Sequence, residues 1–205
     1  SIINYQLNKN MVYKQDFTNV LDIQIERFEK EHDDYNIIMV KALADRLAEA
    51  LPGEAGNAVR TGALLPSGWY SVGWYRALLR CAVEEADGAP GFAREIGLTS
   101  GRREVRGLYR IMFRMLATET LVRQAPRFYD MFYRGGRAQV TLAMAGQGAV
   151  RYSDCHGFDY LVWQDLMGGA QAGFEATGAR NLVMRAEDGG KDGDAGMLVS
   201  VRWAV

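Results

Sequence analysis

The chain has 205 residues, with 24 Lys+Arg against 25 Asp+Glu and a formal net charge of -1. Hydrophobic residues make up 48% and aromatics 11%, enough for a buried core, which excludes wholesale disorder. No apolar run approaches the ~18–20 residues a membrane-spanning helix needs, and the near-neutral charge argues against bulk electrostatic binding of nucleic acid.

The first ten residues, SIINYQLNKN, lack the basic start, apolar stretch and small-residue cleavage site of a signal peptide. The two cysteines, Cys81 and Cys155, are too few for a disulfide or zinc framework, so the reducing cytoplasm is the expected compartment. Composition changes abruptly near residue 50. Residues 1–50 hold no Gly and no Pro, whereas all 23 Gly and all 4 Pro follow. Lys9, Lys14, Lys30 and Lys41 precede the break, while 17 of the arginines come after it. Two readings stay open: a polar helical arm over 1–50 on a single domain over 51–205, or a segment of separate origin, by fusion or uncertain sequence assignment.

Within that arm, Ile37, Ile38, Val40, Ala44, Leu47 and Ala48 fall on one helical face, and Asp34 suits the N-cap. The stretch HDDYNIIMVKALADRLAEA, within residues 28–50, resembles the first helix of the activation domain of cobalamin-dependent methionine synthase. The resemblance implies an S-adenosylmethionine-binding reactivation domain. That family's binding stretch, Arg-Pro-x-Pro-Gly-Tyr-Pro, does not occur here, so this activity is kept as an alternative.

After the turn at Leu64 to Gly68, residues 69–85 place Tyr70, Trp74, Leu78, Cys81 and Ala82 on one helical stripe. Cys81 on that face reads as buried filler. A short helix is expected over 92–96. Ser100 then caps a longer helix over 101–117, with Val105, Leu108, Met112 and Met115 on its apolar side. Another helix starts at Thr118 or Thr120, is interrupted by Pro126, and stops at Gly135-Gly136. The period then shortens. Residues 138–144 alternate as a strand, a turn or bulge follows at 146–148, and 149–152 form the next strand. Residues 158–177 return to helical spacing, with Gly168-Gly169 expected to allow close approach to the sheet. Strands over 181–185 and 197–203, joined by a loop over 187–196, complete the order. The prediction is an α+β domain with helices packed on one face of a small antiparallel sheet.

This arrangement resembles a paralogous family found mainly in myxobacteria, related to 4-vinyl reductase, haem-nitric-oxide-binding and TRAPP-like vesicle-tethering domains. The matching words over 64–205 are LLPSGWYSVGWYRALL, RGLYRIMFRML, APRFYDMFYRGG, HGFDYLVWQDLMGGAQAGFEATGARN and VSVRW. The resemblance implies the fold of that superfamily, with a small molecule or partner held between helices and sheet. Haem-binding relatives use a helix histidine and a Tyr-x-Ser-x-Arg motif. This chain has only His32 and His156 and lacks the motif, so neither haem nor another cofactor is expected. The 4-vinyl reductase relatives carry cysteines where this chain has Asp188, Asp192 and Asp194, so no metal site is expected either.

The candidate residues follow from the same patterns. Trp74, Tyr109, Met112, Phe113, Phe128, Phe132 and Trp163 can line an adaptable apolar pocket, although such a set also serves as plain core. Arg102, Arg106, Arg110 and Arg114 recur every four residues, a spacing that suits an acidic partner or a solvated face balanced by Glu95, Glu104 and Glu119. Cys155 and His156 are adjacent, so they point to opposite faces in extended chain and read as a turn rather than a nucleophilic pair. The Asp188–Asp194 loop lacks the terminal Glu and flanking helices of a calcium site. No catalytic residue is assigned. The expected function is a non-enzymatic module binding a small apolar ligand or a protein partner in signalling or assembly. It is expected to be free of membrane and nucleic acid, with self-association into a homodimer as a further expectation. A structural protein docking through the arginine stripe is the other alternative.

Overall fold

The structure is a computed structural model that describes residues 12–13, 49, 53, 56–57, 69–89, 91–106 and 113–204. The expected helix over 28–50 therefore lies almost wholly outside the described residues. From the N-terminal segment the described strand is β1 (Val12–Tyr13), which lies between β2 (Tyr70–Ser71) and the later β3 (Tyr133–Arg134), antiparallel to both.

Helix α1 (Val72–Glu85) starts where Ser71 caps it, its hydroxyl accepting from the Gly73 N–H at 3.2 Å. Tyr70 is thus strand rather than part of the helical stripe. The buried face runs through Val72, Tyr75, Leu78, Leu79 and Ala82, leaving Trp74 half-buried at its edge. Helix α2 (Phe92–Arg106) is continuous where two helices were expected. Gly97 and Ser100 lie inside it, and Ser100 is buried rather than a cap. The sequence invites a break because Gly97 and Gly101 weaken a helix, but packing overrides that propensity. Residues 113–115 are helical, and Met115 is 82% exposed, not on an apolar stripe. Helices α3 (Thr118–Arg123) and α4 (Ala125–Phe132) meet at Gln124, with Pro126 in the first turn of α4, where its missing N–H costs nothing.

The sheet has four antiparallel strands in the order β4 (Arg137–Met144), β5 (Gln147–Ser153), β7 (Met197–Ala204), β6 (Arg180–Gly189). Met144 pairs with Gln147, so Ala145-Gly146 is a two-residue hairpin loop. β6 and β7 form a second hairpin, and β7 inserts beside β5. Because both β5 and β6 run antiparallel to β7, they are parallel to each other. Helix α5 (Tyr160–Ala176) makes the crossover between them. One face of the sheet is apolar: Val150 and Tyr152 on β5 and Met197, Val199 and Val201 on β7 are all buried. They pack in one core with Val162, Trp163 and Leu166 of α5.

The close approach at Gly168 is to helix α2, not to the sheet. A Cβ on Gly168 would overlap the Arg94 carbonyl oxygen and lie 2.6 Å from the Leu98 nitrogen. Reciprocally, a Cβ on Gly97 would overlap the Asp165 carbonyl oxygen, and one on Gly101 would lie 2.7 Å from the Ala172 Cβ. The helices α2 and α5 therefore touch backbone to backbone, at a distance that only glycine permits.

Candidate functional site

The aromatic residues singled out from the sequence divide between two places. Phe113 is buried and stacks on the half-buried Phe128, ring centroids 5.6 Å apart. Trp163 is 0% exposed at the centre of the molecule, edge-on to Phe158 at 4.6 Å and 6.2 Å from Tyr152. Its indole Nε1 has no hydrogen-bond partner among the described residues. Trp74 stacks on Tyr70 at 6.0 Å, and Phe132 is half-buried at the end of α4. Tyr109 and Met112 lie outside the described residues.

Around Trp163 the structure assembles rings that the periodicity did not single out. Tyr129 lies 5.0 Å from Tyr133 and 5.6 Å from Tyr152, and Tyr133 lies 5.3 Å from Phe158. The Tyr129 hydroxyl donates to the Gly135 carbonyl at 3.0 Å and sits 3.2 Å from the Cys155 Sγ. Gly136, at φ +69, closes over both: a Cβ there would be 2.7 Å from the Tyr129 oxygen and 2.9 Å from the Cys155 sulfur. Burial raises the Cys155 thiol and the Tyr129 and Tyr152 phenols above their ordinary values. A thiol held neutral in this way is no nucleophile. His156, the next residue, is exposed, so the two do not form a catalytic pair.

His156 opens instead onto a half-open cleft of about 360 Å³ at the start of α5, lined by Arg76, Arg80, Asp159, Asp192 and Asp194 among others. Asp159 organises it. As the N-cap of α5 its Oδ1 accepts from the Val162 N–H at 3.1 Å, and its Oδ2 accepts from the Arg76 Nε at 3.1 Å. The Arg80 Nη2 lies 3.5 Å from that same oxygen. Asp192 accepts from the Tyr160 N–H at 2.8 Å, and Asp194 from the Lys191 N–H at 2.9 Å. The acidic loop thus bonds backbone N–H groups, and among the described residues no three His, Cys, Asp or Glu side chains are grouped to hold a metal ion. The sequence carried one signal for this site: an Asp just before an apolar helical run is an N-cap pattern. Starting the helix at Phe158 hid it.

The arginine stripe is only partly laid out by the described residues. Arg102 forms an ion pair with Glu175 of α5, its Nη2 2.7 Å and its Nε 2.8 Å from the Glu175 Oε2. Arg114 is exposed. The Arg106 side chain and all of Arg110 lie outside the described residues.

The chain is similar in fold to solved H-NOX domains. With the Fe(II) unliganded H-NOX protein from K. algicida the TM-score is 0.60 at 11% identity, covering 92% of this chain and 95% of that one. With an H-NOX protein from S. oneidensis in the Fe(II)NO ligation state it is 0.61 at 8% identity, covering 91% and 98%. With an oxygen-binding H-NOX domain related to soluble guanylate cyclases it is 0.59 at 9% identity, covering 92% and 93%. The fold is accordingly α+β of the haem-NO-binding type. Separately, the family model described as the vitamin B12 dependent methionine synthase activation domain matches residues 16–64, a minority of the chain that the described residues scarcely enter.

The one histidine among the described residues offers haem, the group studied in two of the similar solved structures, no axial ligand. An axial ligand must be a His, Cys, Met or Tyr facing an apolar slot. His156 faces a charged cleft, and Cys155 and Tyr129 are engaged with each other beneath Gly136.

Proposed function

We propose that this chain is a non-enzymatic binding module that uses the haem-NO-binding type of fold to hold a small, chiefly apolar ligand between helices and sheet. The observation that carries this reading is the Trp163 indole N–H, buried in an aromatic interior with no acceptor among the described residues. Buried donors are nearly always paired, and a ligand bearing one acceptor atom would satisfy it by displacing the side chains that now close over Trp163, which is 0% exposed. Phe113 and Phe128, stacked on each other away from Trp163, offer a second apolar surface, with Trp74, Phe132, Tyr109 and Met112 completing the set from the sequence. The likeness to domains described with oxygen or NO bound supports ligand holding as the use of the fold. Descent through the 4-vinyl reductase branch, a cytoplasmic setting, a homodimer and an arm over residues 1–50 complete the proposal.

Native mass spectrometry of the full chain tests it. The expected result is an adduct above 22.8 kDa that Trp163→Phe loses at a temperature where that variant, destabilised by its smaller buried ring, is still folded by circular dichroism. No adduct on wild type after incubation with a lipid-soluble extract would overturn the proposal. So would a sharp, CO-responsive Soret band after addition of haemin, which would place haem in the chain after all. The match over residues 16–64 favours a second reading, S-adenosylmethionine binding. Calorimetric titration with that molecule is expected to give no heat.

A further inference from the structure

We propose that the charged cleft at the start of α5 is a separate binding site, built for a small zwitterion of the α-amino acid class. It does not depend on the apolar ligand proposed above. A volume of about 360 Å³ suits a small metabolite, and the lining carries both signs of charge: Arg76 and Arg80 from α1, Asp159 from the helix cap, Asp192 and Asp194 from the β6–β7 loop.

The two arginines are not equivalent. Arg76 donates to Asp159 at 3.1 Å and is 36% exposed in its side chain. Arg80 stands 3.5 Å from the same oxygen, beyond the ~2.7–2.9 Å of a charge-assisted hydrogen bond, with its side chain 60% exposed. Its planar fork is therefore available to grip a carboxylate in two-point fashion. On the loop, Asp192 and Asp194 each accept a backbone N–H through one oxygen, which leaves the other oxygen of each to accept from an ammonium group. His156, exposed at the rim, adds a further polar contact.

The charge balance decides the ligand class. Two guanidinium groups face three carboxylates, so a simple anion meets a lining with excess negative charge, and a simple cation meets two arginines. A molecule carrying both charges a few bonds apart answers both walls. An apolar ligand would strand the charges without water, which is costly.

Isothermal titration calorimetry of the full chain against the set of proteinogenic L-amino acids tests the proposal, with propionate and ethylammonium as carriers of one charge each. Saturable heat is expected with at least one amino acid and with neither single-charge control. Arg80→Ala and Asp194→Asn are each expected to weaken that binding at least about tenfold, with unfolding temperature unchanged. No saturable heat from any amino acid overturns the proposal, as does propionate binding as tightly as the best amino acid. Wild-type affinity in Arg80→Ala also overturns it, and that exposed position decides the matter even if Asp194→Asn does not fold.

Discussion

The glycines between α2 and α5 give a prediction whose sign reverses between neighbours. Gly168→Ala places a methyl group onto the Arg94 carbonyl oxygen and 2.6 Å from the Leu98 nitrogen, both backbone atoms of a regular helix that cannot rotate away. Gly169→Ala meets nothing nearer than the Gly97 carbonyl oxygen at 3.8 Å, an ordinary contact. Either substitution gains about 1 kcal/mol of helix propensity. At Gly168 that gain is opposed by overpacking of about 3 kcal/mol, the upper end of the usual range because backbone must move, for a net loss of about 2 kcal/mol. For a chain of this size the expected change in melting temperature is a fall of about 4–8 °C for Gly168→Ala. The matching expectation for Gly169→Ala is a rise of about 2–4 °C. Gly97→Ala, pressing on the Asp165 carbonyl from the other side, should resemble Gly168→Ala. The double variant should cost less than the sum, because helices already pushed apart accommodate the second methyl. Thermal unfolding by circular dichroism measures all four proteins. Equal shifts of the same sign at 168 and 169 would refute the backbone-contact argument.

Asp159→Ala removes the α5 cap and the acceptor of Arg76 together, and should destabilise by about 2 kcal/mol in urea unfolding, whereas Asp159→Asn, which keeps a capping oxygen, should lose less. Arg102→Ala breaks an exposed ion pair and should cost under about 1 kcal/mol, an amount that high salt erases. Burial raises the Cys155 thiol in the folded chain, so the stability from keeping it neutral is complete below the unfolded thiol value of about 8.5. That contribution is lost as pH climbs above this value, and Cys155→Ala should flatten the decline. Neither Cys81 nor Cys155, both buried, should react with a thiol reagent near pH 8 until the chain is unfolded, because the reagent cannot reach them.

The α+β architecture was legible because hydrophobic period is a local property that survives into the fold. Alternation over 138–144 became β4, and the run after Asp159 became α5, each within a residue or two of the expected ends. Errors fell where a local rule met a tertiary contact. Gly97 and Gly101 look like reasons to end a helix, yet both sit inside α2 because α5 lies on them. Met115 fits an apolar stripe by spacing but is 82% exposed, since the stripe assumed one helix from 101 to 117. Gly168 is a point of close approach, but to helix α2 and not to the sheet that the sequence suggests. Which element approaches could not be read, because a glycine records the absence of a side chain and not the identity of its neighbour.

The charged cleft was illegible for a different reason. Its residues come from three stretches, around Arg76, His156 and Asp192, and each has an innocent local reading as a solvated helix face, a turn and a polar hairpin. Only the position of α5 brings them together. That position is set by the contact through Gly97 and Gly168, because Asp159, which holds Arg76, is the cap of the same rigid helix that carries Gly168. At 1.5 Å per residue the cap lies about 13 Å along the axis from Gly168, so a displacement of α5 at the glycine contact is carried to the carboxylate nearly undiminished. The features that specify the fold and the features that shape the cleft are therefore one mechanical system. Glycines at the α2 contact thereby help to seat the α5 cap, whose Asp159 holds Arg76 of α1 and whose next residue, Tyr160, donates to Asp192 of the β6–β7 loop.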